Sequence, residues 1–389
     1  MSVPANQQRA FLRLITQLRP HWRSDITLPA RIQKLLAAHR EFGSRDRRLY
    51  RELIYTTLRF LPWIEKMLEK RPDEATRRVA WLAADTPATA AFRAAFATGQ
   101  PPTGDKSELL PAWFRTHCPA IFVGEELEAQ LRRAPLWLRF QSDAAGEARA
   151  FDEFTDRGWS WRRSVLLPDA VELLTEADVT TTEAWQSGAF EVQDLGSQLI
   201  LESIGIAHGG RWLDACAGAG GKTLQLKRRL GPHGNVDAFD IRRAALAELE
   251  QRASRARQSI QVLSELPRSI YDGVLVDAPC SGTGTWRRAP HLKWVTTEAQ
   301  IARAAEKQAA LLTQFARYVS PGGRLVYATC SLSSVENEDV VAAFLAEHSD
   351  FQPIALANTF GATASAARLT ILPGQRNTDG FFVASLRRR

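Results

Sequence analysis

Hydrophobic residues recur at helical spacing over the first hundred residues of the chain. Phe11, Leu14 and Leu18 fall on one helical face, and a second face of this kind runs through residues 49–61. Polar and mostly basic residues fill the positions between them. Apolar residues three and four positions apart share one side of an α-helix, so the pattern predicts a helical domain over residues 1–98.

The pattern changes over residues 99–192. A stretch rich in proline and glycine at 100–105 is typical of a linker. Short apolar and aromatic runs at 135–140, 159–161 and 190–192 then favour β-strands, with helical segments between them. This region is therefore predicted to be a linker followed by a small α+β subdomain.

From about residue 193, apolar strands alternate with amphipathic helices. This alternation indicates a parallel sheet with crossover helices, and it predicts an α/β domain over residues 193–389. The predicted strands are 211–215, 235–240, 260–263, 273–277 and 324–329, followed by a last strand near 380–386 with 369–372 as its hairpin partner. The predicted helices are about 222–230, 242–257, 298–319 and 335–347.

Charge and composition narrow the functional classes. The 389 residues include 50 Lys and Arg against 43 Asp and Glu, a net charge of +7. An arginine-rich chain suits phosphate binding, although the same charge spread evenly would only favour solubility. We find no signal peptide and no run of about 18 apolar residues, so no membrane segment is expected. The four cysteines form no Cys-x-x-Cys pair and no His cluster accompanies them. We therefore expect a cytoplasmic protein with reduced thiols and no metal site.

Three of the predicted strands end next to residue types that serve in catalysis and ligand binding. The strand at 273–277 ends in Asp277, and Cys280 follows it closely. The strand at 324–329 delivers Cys330 to its end, and the strand at 211–215 runs into a glycine-rich turn. In an open α/β sheet, ligands bind beyond the carboxyl ends of the strands. These three strand ends are thus predicted to form one site.

The glycine-rich turn predicts a nucleoside-bearing cofactor. It is not a phosphate-clamping Walker motif, because Ala217 stands where that motif requires glycine. The next predicted strand ends in Asp240, and an acid at that position fits hydrogen bonding to ribose hydroxyls. The predicted cofactor contacts are Cys216, Ala217, Gly218, Ala219, Gly220, Gly221, Lys222, Asp240, Ile241 and Asp277.

The cysteines at the strand ends allow two interpretations. A buried cysteine often serves only as a small hydrophobic residue. Cys280 and Cys330, however, both lie at strand ends and both precede a serine in a loop. A thiol of ordinary pKa, near ~8.5, is mostly protonated at neutral pH unless positive charge lowers that pKa, and Lys222 is a source of such charge. Cys118 lies far from these motifs and receives no role.

Two basic segments are also ambiguous. The segment 287–294 combines cations with Trp294, as a nucleic-acid groove does, but Trp294 would equally anchor a helix in the core. The arginines of 45–48 would either contact RNA or form an ordinary solvated helix face.

Several of these motifs resemble those of the RNA cytosine 5-methyltransferases, the Nol/Nop/Sun family. The resemblance covers about 190–389, and the N-terminal segment 46–59 resembles the NusB-like helical domain of the bacterial RsmB-like branch, which modifies small-subunit rRNA. The motifs that carry it are Asp-Ala-Pro-Cys-Ser-Gly at 277–282, Tyr-Ala-Thr-Cys-Ser at 327–331, Cys-Ala-Gly-Ala-Gly-Gly-Lys at 216–222, Arg-Arg-x-Pro-x-x-Lys-Trp at 287–294 and Asp-Gly-Phe-Phe at 379–382.

The resemblance implies a Rossmann-like class I methyltransferase domain with a mostly parallel, seven-stranded sheet. It implies S-adenosylmethionine as methyl donor and a cytosine of RNA, rRNA rather than tRNA, as acceptor. The small α+β subdomain within 99–192 is accordingly expected to bind RNA. Cys330 would be the nucleophile, and Cys280 would assist loss of the carbon 5 proton and release of the adduct. Asp277 would hold the pyrimidine edge, and Lys222 would supply positive charge.

Two departures from the family pattern and three alternatives accompany this prediction. Ala219 replaces the usual proline of the glycine-rich motif, and the acid that usually meets the adenine is missing, so that Ser264 or Glu265 would take its place. The alternatives are a tRNA cytosine methyltransferase, a non-catalytic RNA-binding assembly factor, and a methyltransferase acting on another substrate such as a protein amide. Retention of both Cys280 and Cys330 favours the RNA enzyme.

Overall fold

The computed structural model describes residues 2–266, 268–361 and 367–389. It divides into two compact units. The first comprises residues 1–133 and 285–298, and the second comprises 134–284 and 299–389. The division at residues 98 and 192 expected from the sequence stays a prediction.

The first unit is helical, as predicted, and we call it the helical unit. Helix α1 illustrates why this unit forms: it buries Phe11, Leu14 and Leu18 on one face, at the positions predicted from the sequence. A proline at the start of α1 suits the first turn, where a backbone N–H would lack a partner. The helices are α1 (Val3–Leu18), α2 (Leu28–Ala38), α3 (Ser44–Arg59), α4 (Leu61–Lys70), α5 (Pro72–Leu82), α6 (Ala90–Phe96), α7 (Gly124–Gln130) and, from the later segment, α13 (Leu292–Val295).

The second unit, which we call the α/β unit, contains two sheets. The smaller one is an antiparallel sheet of four strands in the order β2-β3-β1-β4, accompanied by two helices. This confirms the α+β character predicted between 136 and 193, although β3 was not predicted. The elements are β1 (Leu136–Phe140), α8 (Ala144–Asp156), β2 (Trp161–Arg163), β3 (Ala170–Leu173), α9 (Glu183–Gln186) and β4 (Phe190–Val192).

The larger sheet confirms the predicted α/β domain. It has eight strands, one more than predicted; the additional short strand is β10, at the sheet edge beside β12. The elements are α10 (Leu195–Ile204), β5 (Arg211–Asp214), α11 (Gly221–Leu230), β6 (Asn235–Ala238), α12 (Arg243–Arg255), β7 (Gln261–Val262), β8 (Tyr271–Asp277), α14 (Glu298–Ala316), β9 (Val319–Thr329), α15 (Glu338–Glu347), β10 (Phe351–Pro353), β11 (Arg368–Ile371), α16 (Pro373–Arg376) and β12 (Phe381–Arg388).

The central strands of this sheet are buried on both faces. In β8, Val274 and Val276 pack in one apolar cluster, and Leu275 packs in another on the opposite face. Successive side chains of a strand point to opposite faces, so a strand covered on both sides reads as a continuous apolar run. That is why the run at 273–277 was recognisable in the sequence.

The strand order locates the predicted site. Strands β7-β6-β5-β8-β9 are parallel neighbours in that order, and β12 joins β9 antiparallel. The chain runs outward in one direction from β5 to β7 and then returns to the other side of β5 as β8. Ligands bind at such a switch point, outside the carboxyl ends of the strands. The glycine-rich turn after β5 and Asp277 at the end of β8 both lie at this edge.

Among the helices of the described ranges, none is long and apolar enough to cross a membrane.

Candidate active site

The glycine-rich turn joins β5 to the first turn of α11. Gly220 has φ of +89°, and a Cβ added there would lie 2.7 Å from Cγ of Leu249 in α12. Only glycine allows this backbone conformation and this close packing without strain. Arg252 also donates to the carbonyl oxygen of Ala219 at 2.8 Å. The turn is therefore held in place while its backbone stays close to any ligand at the helix N-terminus.

Asp240 lies beside the turn, just beyond β6. Its Oδ2 accepts a hydrogen bond from the backbone N–H of Gly218 at 2.8 Å. Arg242 donates to the same carboxylate from its backbone N–H and from its guanidinium, at 2.8–3.0 Å. Burial alone would raise the pKa of Asp240, but the hydrogen bonds from Arg242 and Gly218 outweigh it, and the pKa lies below its usual range. Asp240 is thus an ionised acceptor at the place predicted for a ribose.

A second acid, Asp214, lies at the end of β5, where the turn begins. It is wholly buried and accepts a hydrogen bond from Thr223 at 2.7 Å. Burial raises the pKa of Asp214 to about 7, and the charge of Asp277 adds to the effect. Burial, reinforced by the charge of Asp214, also raises the pKa of the Cys216 thiol. Cys216 is consequently an unreactive thiol in the wall of the turn.

Lys222 and Asp277 form an ion pair across the switch point. Nζ of Lys222 lies 2.8 Å from Oδ2 of Asp277 and 5.4 Å from the ring centroid of Phe381. Burial alone would lower the pKa of Lys222, but the charge and hydrogen bond of Asp277 reverse the effect, and the pKa is raised. Lys222 therefore holds a fixed positive charge at this edge of the sheet.

The two cysteines predicted to be functional are in contact. Sγ of Cys280 lies 3.3 Å from Sγ of Cys330, and both residues are partly exposed. The hydrogen bond to Cys330, with burial, raises the pKa of Cys280 well above its usual range. A charge on Cys330 is among the causes of the raised pKa of Lys222, so these two groups also interact.

A close backbone contact fixes the loop that carries Cys280. The N–H of Gly284 donates to the carbonyl oxygen of Cys330 at 2.9 Å, and the N–H of Gly380 donates to the carbonyl oxygen of Gly284 at 2.8 Å. A Cβ at Gly284 would lie 2.1 Å from the Gly380 carbonyl oxygen. This contact explains the glycine at 284. A Cβ at Gly380 would lie 2.7 Å from Cγ of Leu332, which explains the glycine of the Asp-Gly-Phe-Phe segment, noted from the sequence only as a motif.

One residue of the site was missed by sequence reasoning. Glu336 is wholly buried and accepts hydrogen bonds from Ser281 and Ser331, the residues that follow the two cysteines. The predicted helix 335–347 would have placed this acid in an ordinary first helical turn. In the structure that helix begins at Glu338, and Glu336 lies in a short 3-10 turn.

Other predicted contacts lie at the rim or outside this cluster. Ile241 is 88% exposed beside Asp240. Glu265 is exposed, and the carbonyl oxygen of Ser264 accepts a hydrogen bond from Arg243. Contacts of Ile241, Ser264 and Glu265 with a ligand stay predictions. Cys118 is buried in the helical unit.

The basic segment 287–294 belongs to the helical unit. Lys293 is 1% exposed and donates to the carbonyl oxygens of Arg59 and Leu109. The indole N–H of Trp294 donates to the carbonyl oxygen of Leu58 at 2.6 Å. Of the two interpretations drawn from the sequence, the structure supports the core anchor, because these side chains are used inside the helical unit.

Over the described ranges, no cluster of three or more His, Cys, Asp and Glu side chains is arranged to hold a metal ion.

The chain is similar to proteins that methylate ribosomal RNA. The model of the family described as 16S rRNA methyltransferase RsmB/F matches residues 203–387. The probable ribosomal RNA small subunit methyltransferase B of Bacillus subtilis (strain 168) is 32% identical over 266 residues, covering 65% of this chain and 59% of that protein. The chain thus spans about three fifths of the length of this curated relative.

A second relative and a solved structure extend the similarity. The ribosomal RNA small subunit methyltransferase B of Shewanella oneidensis (strain MR-1) is 32% identical over 305 residues, covering 73% of this chain and 69% of that protein. The crystal structure of PH0851 has a TM-score of 0.75 at 22% identity and covers 99% of both chains, which shows a shared fold. The chain belongs to the RsmB/F family of 16S rRNA methyltransferases.

Proposed function

We propose that this protein transfers a methyl group from S-adenosylmethionine to carbon 5 of a cytosine in small-subunit ribosomal RNA, with Cys330 as the nucleophile. The observation that carries the proposal is the contact of two thiols, 3.3 Å apart, beside the Lys222–Asp277 ion pair. Membership of the RsmB/F family supports the reaction class. We place the reaction in the cytoplasm.

The residues of the glycine-rich turn suit the proposed methyl donor. The turn offers backbone groups at the N-terminus of α11, and Asp240 offers a carboxylate for ribose hydroxyls. The guanidinium of Arg242 donates hydrogen bonds to that carboxylate. The Arg242 side chain is 68% exposed, however, so it is free to move aside. S-adenosylmethionine, when bound, supplies a methyl group activated by the sulfonium. Ile241 would cover one side of the nucleoside, and Asp277 would border the other end of the pocket.

The electrostatics favour Cys330 as the thiol that ionises. Cys280 keeps its proton because the hydrogen bond to Cys330 raises the pKa of Cys280. A thiolate on Cys330 would accept that S–H hydrogen bond and would interact with the positive charge of Lys222. Nucleophilic cysteines are typically activated in this way, by positive charge and hydrogen bonding to the thiolate.

The proposed chemistry uses the two thiols in turn. The Cys330 thiolate adds to carbon 6 of the cytosine, which moves the electron pair of the 5,6 double bond to carbon 5, where it takes the methyl group. Bonding of the Cys330 sulfur to carbon removes the charge of Cys330, which is one of the causes that raise the pKa of Cys280. Cys280 then loses its proton to solvent, and the resulting thiolate accepts the carbon 5 proton. Loss of that proton restores the double bond and expels the Cys330 thiolate.

The ion pair would act on the cytosine itself. Asp277 lies at the end of β8, where it would bind the pyrimidine edge and assist protonation of the ring nitrogen as the adduct forms. Lys222 would hold Asp277 in place and keep the Cys330 side of the site positive. A base inside a duplex cannot reach such a site, so an unstacked cytosine is expected.

The test compares the wild-type protein with Cys330→Ala and, as a matched control, Cys118→Ala. Each is incubated with labelled S-adenosylmethionine and with small ribosomal subunits or total RNA from cells lacking the gene. We expect the wild type and Cys118→Ala to form 5-methylcytosine in small-subunit rRNA, and Cys330→Ala to form none.

Mapping the modified base by mass spectrometry distinguishes the alternatives. Modification confined to tRNA would replace rRNA as the substrate. Full activity of Cys330→Ala would overturn the covalent route. Binding of RNA without methylation of any fraction would favour the assembly-factor alternative.

A further inference from the structure

The buried carboxylate of Glu336 connects the two cysteine loops. Ser281 directly follows Cys280, and Ser331 directly follows Cys330. Oε1 of Glu336 accepts the backbone N–H of Ser281 at 2.8 Å, and Oε2 accepts the hydroxyl of Ser281. Oε2 also accepts the hydroxyl of Ser331 at 2.6 Å. A single side chain therefore holds the residue next to each thiol.

Further bonds orient this carboxylate. The amide N–H of Gln308 in α14 donates to Oε1 of Glu336 at 3.0 Å and to the carbonyl oxygen of Pro279, also at 3.0 Å. The Tyr327 hydroxyl lies 2.5 Å from the backbone carbonyl oxygen of Glu336 and 3.1 Å from the amide oxygen of Gln308, so it ties both residues together. With four donors and wholly buried oxygens, Glu336 accepts at all the positions that an ionised carboxylate offers.

We propose that Glu336 is a positioning residue of the cysteine pair, whose carboxylate holds the loops after Cys280 and Cys330 together and so sets the contact between the two sulfur atoms. Its effect on the thiols is independent of the proposed function. Its effect on catalysis rests on the proposed function.

The charge of Glu336 has a second, separable consequence. It is one of the causes that raise the pKa of Cys280, after the hydrogen bond to Cys330 and burial. Removing the charge while keeping the size of the side chain would therefore lower the pKa of Cys280. It would also weaken the link between the loops, because an amide nitrogen cannot accept a serine hydroxyl.

The first test measures the thiols without RNA or cofactor. Wild type, Glu336→Gln and the control Asp339→Asn, an exposed acid three residues away on α15, are alkylated with iodoacetamide over a pH series. Peptide mass spectrometry then gives a rate for each cysteine. Cys118, which is buried, and Cys216, whose pKa is raised by burial, serve as internal reporters of general unfolding.

We expect Glu336→Gln to raise the alkylation rate of Cys280 several-fold at about pH 8, because more thiolate is present when the pKa falls. Cys118 and Cys216 should keep their wild-type rates, and Asp339→Asn should behave as wild type. Unchanged alkylation of Cys280 would overturn the proposal. Equal acceleration of all four cysteines would also overturn it, since that result describes loosening of the whole fold.

The second test measures catalysis. In Glu336→Gln we expect kcat for methylation to fall by at least about tenfold while KM for S-adenosylmethionine stays near the wild-type value, because misplacement of reacting groups costs rate. Unchanged kcat would contradict the positioning role. If the wild type itself forms no 5-methylcytosine, the proposed function fails, whereas the alkylation result still decides whether Glu336 controls the thiols.

If Glu336→Gln does not fold, variants that each remove one hydrogen bond to Glu336 test the same proposal. Ser281→Ala and Ser331→Ala each remove a hydroxyl bond to Glu336 and leave the buried carboxylate in place. Each should lower kcat and change the alkylation rate of its neighbouring cysteine more than that of the other. Wild-type rates in both variants would overturn the proposal.

Discussion

Two buried lysines show how differently this chain uses the same side chain. Lys222, in the α/β unit, pairs with the carboxylate of Asp277, and its pKa is raised. Lys293, in the helical unit, donates to two backbone carbonyl oxygens, and burial lowers its pKa well below the usual range. A carboxylate compensates a buried cation with full charge, whereas carbonyl dipoles compensate it only in part. The partner therefore decides whether the lysine is a fixed charge or a structural anchor.

The comparison also separates two motifs that look alike in the sequence. Both lysines lie in segments that combine cations with glycine, proline or aromatic residues. Lys222 follows a strand and begins a helix at the switch point of the sheet. Lys293 lies in the core of a helical bundle, next to Trp294, with its ammonium near the end of α3. We infer that position in the fold, rather than local composition, distinguishes the lysine proposed to act in the reaction from the structural one.

The largest expected effect is the loss of methylation rate when Lys222 is replaced. Lys222→Met should lower the methylation rate by about 10²–10³-fold, because it removes a preorganised charge beside the reacting groups. The free energy of unfolding should change by no more than about 1 kcal/mol, since Asp277 is partly exposed and can be hydrated. Single-turnover methylation and urea unfolding measure the two quantities.

Lys227 provides a matched control on the same helix. It donates to the carbonyl oxygens of Gly231 and Gly234, as Lys293 does to its own carbonyls. Lys227→Met should therefore keep the wild-type methylation rate. An equal loss of rate in Lys227→Met and Lys222→Met would break the distinction between the two kinds of lysine.

The next effect is on stability. Lys293→Ala should lower the free energy of unfolding by about 3 kcal/mol, because it leaves a cavity and two buried carbonyl oxygens without a donor. Lys293→Met keeps most of the volume and should cost about 2 kcal/mol, which isolates the loss of the hydrogen bonds. Urea unfolding followed by tryptophan fluorescence measures both values. Wild-type stability of Lys293→Ala would contradict the role of Lys293 as an anchor.

The smallest effect per pH unit is the change of stability with pH that Lys293 should produce. Its pKa is depressed in the folded chain, so between that pKa and the unfolded value of about 10.4 the unfolded chain binds more protons. The stability of the wild type should then rise relative to Lys293→Met as pH increases through this window, by at most about 1.4 kcal/mol per pH unit. Unfolding of both proteins at several pH values gives the difference, and a difference that stays flat or falls would contradict the depressed pKa.

Much of the candidate site at the carboxyl edge of the larger sheet was predictable, because the local sequence patterns and the fold agree there. The apolar run that ends in Asp277, the glycine-rich turn and the hairpin of β11 and β12 are each encoded within a few consecutive residues. The rule that ligands bind at the carboxyl ends of parallel strands then brings Cys280 and Cys330 to one edge without further information.

Features that depend on contacts between distant residues were not predictable. Glu336 meets Ser281 across 55 positions of sequence, and nothing near Glu336 distinguishes it from an acid in the first turn of a helix. The burial of Lys293 likewise depends on carbonyl oxygens at residues 59 and 109. The strands β3 and β10 are only four and three residues long, too short to show a period.

The measurement that tests the account most directly is covalent trapping in Cys280→Ala. This variant keeps Cys330 and lacks the thiol proposed to accept the carbon 5 proton, so methylated RNA should remain attached to the protein. It is incubated with S-adenosylmethionine and small-subunit rRNA, then resolved on a denaturing gel and by intact mass spectrometry, with Cys280→Ala/Cys330→Ala as the control. We expect a stable protein–RNA adduct at Cys330 in the single variant and none in the double variant. Rapid release of 5-methylcytosine RNA by Cys280→Ala, or an adduct that persists without Cys330, would contradict the proposed division of roles between the two cysteines.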